Sequence, residues 1–154
     1  MDPIVQAIFS SWNLDPLLWV PLLITGWIYH LGWRTLRTQM PERFTRLRLA
    51  SFMLGLAILW LAVASPLDTL GNLLLSVHMS QHILLMMVAP PLLLLGLPGL
   101  PLLMGLPEPV RRQWIGPFIA WPVLRGVFRI LVHPIFAWTA FTAATWAWHV
   151  PDLY

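Results

Sequence analysis

The chain contains no cysteine, which excludes disulfides, thiolate metal centres and cysteine nucleophiles together. It contains no lysine either, so all nine basic side chains are arginine. Nothing in the sequence explains that choice. Charge is scarce: 10% of the 154 residues, against roughly a quarter in an ordinary soluble domain. So few charges cannot coat a water-facing surface, and lipid must take that place. There is no GxxxG pair, internal repeat or low-complexity linker. A nucleophile elbow, a phosphate-cradling glycine loop, an HExxH motif and a pair of carboxylates in an apolar run are also missing, so an enzyme is not indicated. The net charge of +3 and pI near 10.6 could point to nucleic acid. The arginines, however, lie between apolar runs and form no basic module, so no nucleic-acid partner is expected.

What is present is apolar: 58% hydrophobic residues, with 10 Trp and 15 Pro, both common in membrane helices or at their interfaces. A membrane crossing takes roughly 20 residues of helix. Four stretches qualify: about Leu17–Trp33, about Leu49–Ala64, one between Leu70 and Leu97, and about Val132–His149. Met1–Asp15 holds two acids and no basic residue, unlike a secretory leader, so the first run reads as a retained span. Val110–Leu131 mixes Arg with Trp, Phe, Ile and Val and reads as an interfacial helix. The expected fold is all-α: an integral membrane bundle of about four transmembrane helices, with that amphipathic segment before the last, and residues 1–154 forming a single domain.

Arginine placement predicts orientation. Arg34, Arg37, Arg43, Arg46 and Arg48 fall in the first connection, and Arg111, Arg112, Arg125 and Arg129 before the last span. The N-terminal segment, the Ser65–Leu70 connection and the C-terminal tail have none. By the positive-inside bias both termini face outward, with Asp2, Asp15, Asp68 and Asp152 on that side. Asp15-Pro16 reads as an N-cap with a first-turn proline, and Ser65-Pro66 as a helix end. Pro90-Pro91 requires a kink or an end in the third span.

One segment stands apart from scaffold: His78-Met79-Ser80-Gln81-His82, followed by Ile83-Leu84-Leu85-Met86-Met87. On a regular helix His78, His82, Met86 and Met79 share an arc of about 100°. Imidazole with soft thioethers suits copper, Cu(I) above all, and suits magnesium or calcium poorly. His149 closes the fourth span on the same outer side and offers a ligand from a second helix. The opposing reading is packing: membrane histidines hydrogen-bond between helices and methionine fills gaps. Asp68 reads as a helix cap, and His30 and His133, near the arginine-rich face, are assigned no chemistry.

Several pieces together resemble the CtaG-like family of cytochrome c oxidase assembly factors, associated with caa(3)-type oxidases. They are Asp15-Pro16, Ser65-Pro66-Leu67-Asp68, the His78–Met86 run, Ala89-Pro90-Pro91-Leu92-Leu93-Leu94-Leu95-Gly96, and the closing Trp148-His149-Val150-Pro151-Asp152-Leu153-Tyr154. The resemblance implies a multi-pass protein of the bacterial inner membrane that matures the oxidase through delivery of copper. Its partners are then the bilayer and either oxidase subunits or another copper-handling membrane protein. Family members are typically longer, with further spans and histidines, which makes this a short or C-terminally truncated member. Two other functions compete: a haem-binding electron carrier, in which His149 would have to join one of the paired histidines, and a purely structural membrane subunit.

Overall fold

The computed structural model describes residues 12, 15–66, 70 and 74–148. The described residues are helical throughout, with turns between helices and no strand among them. They fall into two compact units divided after Pro107.

The first unit begins with α1 (Pro16–Gln39). Asp15 caps it as its sequence foretells: the carboxylate accepts the Leu17 N–H at 2.9 Å, and Pro16 occupies a first-turn position that needs no donor. α2 (Arg46–Ala64) ends at Ser65, whose backbone is extended and whose N–H reaches the Leu61 carbonyl. α3 runs from Leu75 to Leu95. α2 and α3 are both long and apolar enough to cross a membrane. α1 has the length, but Pro21, Thr25, Tyr29 and His30 dilute its apolar character. α4 (Gly99–Gly105) follows a reversal at Leu97, which takes the left-handed region at φ 50°, an uncommon conformation for a residue with a Cβ.

α3 neither ends nor breaks at its proline pair. A π turn at Leu84–Val88 precedes the α-helical Ala89–Leu95 stretch. Prolines lack an N–H and their rings press on the carbonyls one turn back. The wider turn relieves that pressure, and the Ala89 N–H reaches the Leu84 carbonyl instead.

The unit's core gathers beside the first connection: Tyr29, Trp33 and Leu36 from α1, Phe44 from the connection and Phe52 from α2. Tyr29 stacks on Phe52 with ring centres 3.8 Å apart, and its hydroxyl donates to the Gly96 carbonyl at 2.7 Å. The Trp33 indole N–H donates to the Thr45 carbonyl at 3.2 Å, and the Arg37 guanidinium lies 4.9 Å from the Trp33 ring. Tyr29 and Trp33 thus have their polar tips satisfied, as an apolar surrounding demands. α1 and α4 meet backbone to backbone. A Cβ on Gly32 would overlap the Pro101 carbonyl, and one on Gly105 would overlap that of Ile28.

In the second unit, α5 (Glu108–Ile119) and α6 (Pro122–Leu131) meet at a 72° bend. Trp121, which precedes a proline, is extended at ψ 120°, as the proline ring requires of its neighbour. The segment expected as one interfacial helix is therefore two. On α6, Arg125 and Arg129 share one side, and Val123, Val127, Ile130 and Leu131 fall on the other. α7 (Pro134–Trp148) is 15 residues long, shorter than a full crossing within the described residues. Its threonines bond back to carbonyls of the preceding turn, as Thr142 does to Trp138 at 2.9 Å.

Candidate functional site

His78 lies in the first turn of α3 and His82 one turn on. The two Nε2 atoms are 2.9 Å apart, with the rings edge to face at 78°. At that distance one ring donates its Nε2–H and the other accepts. Were a metal ion held here, His78 and His82 would be the residues to hold it, supplying two imidazole nitrogens.

Gln81, between them in sequence, donates its side-chain N–H to the Ala62 carbonyl at 3.0 Å. This bond ties the histidine end of α3 to the last turn of α2. Gln81 was given no role by the sequence, although a glutamine inside an apolar run is a visible signal, since its amide must find a partner there. Ser80 turns back onto the Ser76 carbonyl at 2.9 Å.

The thioethers lie on the more open side of α3: Met79 is 46% and Met86 43% exposed. The π turn begins two residues after His82, so the regular spacing that set Met86 in line with the histidines does not run through it. His149 lies outside the described residues, as does Asp68. Among the described residues no group of three or more His, Cys, Asp or Glu could hold a metal ion. As donor types, two imidazoles and a thioether fit copper; among the described residues only the two imidazoles are seen to meet.

A sequence model of the cytochrome c oxidase caa3 assembly factors matches residues 27–154. The chain belongs to that family. The chain is also 28% identical to uncharacterized proteins of Mycobacterium bovis and Mycobacterium tuberculosis, over 158 residues, 99% of its own length. It is 27% identical to an uncharacterized protein of Mycobacterium leprae over 154 residues. It spans 23% of the length of each of these relatives. No solved structure matches it. The family match covers α2, α3 with its histidine pair, and everything beyond.

Proposed function

We propose that this assembly factor holds or hands on copper at the outer face of the bacterial inner membrane during maturation of a caa3-type cytochrome c oxidase. It acts as a carrier without catalysis of its own, and its partner is an oxidase subunit or another copper-handling membrane protein. The observation that carries the reading is the pair of Nε2 atoms 2.9 Å apart at the start of a helix long and apolar enough to cross a membrane. His78 and His82 supply nitrogen and Met79 or Met86 soft sulfur; His149, the further ligand expected from the sequence, lies outside the described residues. Four spans, formed by α1, α2, α3 and α7, put all nine arginines inside and both termini outside. α6 lies in the inner interface with Arg125 and Arg129 toward the headgroups.

The test is Cu(I) titration of detergent-purified protein beside a His78→Ala, His82→Ala double variant, with oxidase activity measured in cells. The double variant should lose copper and lower active oxidase while its own abundance holds. Copper uptake that survives the double substitution places the ion elsewhere. Disappearance of the protein from the membrane means that the histidines hold α3 against α2 and nothing more.

A further inference from the structure

α2 stops at a proline and leaves behind a carbonyl that α3 takes up. In a regular helix each carbonyl accepts from the N–H four residues on. For Ala62 that residue is Pro66, which has no N–H to give. The carbonyl one place earlier, on Leu61, is served by the Ser65 N–H at 3.2 Å. Ser65 itself is extended at ψ 169°, as the residue before a proline prefers to be. Ala62 is fully buried, so its carbonyl is out of reach of water, and an unmet carbonyl in an apolar helix is destabilising. The donor comes from another helix: the Gln81 side-chain N–H, at 3.0 Å.

We propose that Pro66 and Gln81 form one lock between α2 and α3, and that through it Gln81 is the positioning residue of the His78/His82 pair. The proline keeps the Ala62 carbonyl free of its own helix, and the glutamine amide fills the place of the missing donor. At 100° per residue Gln81 lies about 60° from His78 and about 100° from His82 around α3, so a bond that fixes its direction fixes theirs. Its leverage is large because Leu75–Ile83 buries no residue, and packing therefore does little to set the rotation of that stretch. The imidazole contact lies within α3 and forms without the lock; the direction in which the pair is presented depends on it. The lock stands on the hydrogen-bond geometry alone, whereas the positioning role rests on the copper reading above.

The test is a double-mutant cycle on the detergent-purified full chain, with stability read by SDS titration and Cu(I) affinity by competition with a chromogenic chelator. Gln81→Leu strands the carbonyl and should lower the folding constant about tenfold. In a Pro66→Ala background a backbone N–H takes the carbonyl, and the same substitution should lower it only about twofold. Equal losses in the two backgrounds overturn the lock. Cu(I) affinity should fall about tenfold or more in Gln81→Leu, and should stay low in the Pro66→Ala, Gln81→Leu double variant although its stability has returned. Unchanged affinity in folded Gln81→Leu overturns the positioning role. Affinity regained in the double variant overturns it too, since Gln81 then does no more than satisfy a carbonyl. A Gln81→Leu chain that folds only alongside Pro66→Ala is the same coupling at full strength, and copper is then read in the double variant against Pro66→Ala alone. One that folds in neither background overturns the lock. Wild type that takes up no Cu(I) overturns the copper reading and the positioning role with it, while the stability cycle still decides the lock.

Discussion

Two ends of the first unit are built on opposite terms. Beside the first connection, Tyr29 and Phe44 are fully buried and Phe52 is 3% exposed, with Tyr29 held by a stack and a hydrogen bond. At the start of α3, Leu75–Ile83 buries no residue at all, and a bond from Gln81 ties it to α2. The aromatic end is where contacts are dense enough to hold helices in one register. The histidine end is sparse among the described residues, and segments with few buried contacts open at lower free-energy cost. Stability and chemistry are therefore expected to respond to different substitutions.

The sharpest way to break that contrast is Gly32→Leu. The new side chain meets the backbone of Pro101 and Gly105, which cannot yield as a side chain would. We expect a loss of about 3 kcal/mol or more, seen as a fall in membrane abundance and in the SDS needed to unfold the helices. Phe52→Ala should cost a similar or slightly smaller amount, about 3 kcal/mol, measured in the same SDS titration. Tyr29→Phe removes one hydroxyl from the Gly96 carbonyl and should cost about 1 kcal/mol, in the range of interhelical hydrogen bonds in bilayers. Asp15→Ala removes an exposed cap and should cost roughly 0.5–1 kcal/mol, read as fraying at the start of α1 by hydrogen exchange. Smallest of all on stability is His78→Ala, expected within about 0.5 kcal/mol, while its copper uptake falls. Should His78→Ala unfold the protein as readily as Phe52→Ala, the contrast between the two ends is gone.

Much of the helix layout is legible from single residues. Asp15, Pro16 and Ser65 mark ends through local backbone chemistry, and the structure uses them so. The all-helical class follows from composition alone. The meeting of His78 and His82 was legible too, because a spacing of four is local. What could not be read depends on distant chain. Gly32 and Gly105 approach backbone to backbone across two helices, and no spacing rule links residues in separate segments. The π turn is hidden for another reason: Pro90-Pro91 announces stress on α3 but does not say whether the helix breaks, bends or widens. His30, placed by the sequence near the arginine-rich face with no chemistry assigned, lines a pocket made half by α2.

The π turn at Leu84–Val88 also sets how α3 tolerates changes of length. A π turn amounts to one residue more than a regular helix needs between its two flanking stretches. Deleting Met86 would let the turn close into regular helix, with Gln81 still toward Ala62 and Leu93 still against Gly55. Yet the surplus residue is what keeps the rings of Pro90 and Pro91 off the carbonyls behind them. The deletion and the prolines are therefore coupled. Removing Met86 alone should cripple the helix, whereas removing it together with Pro90→Ala and Pro91→Ala should yield a chain one residue shorter with both ends in phase. An insertion at the same place has no such remedy, and in sequences sharing this helix a shorter turn should come without the proline pair.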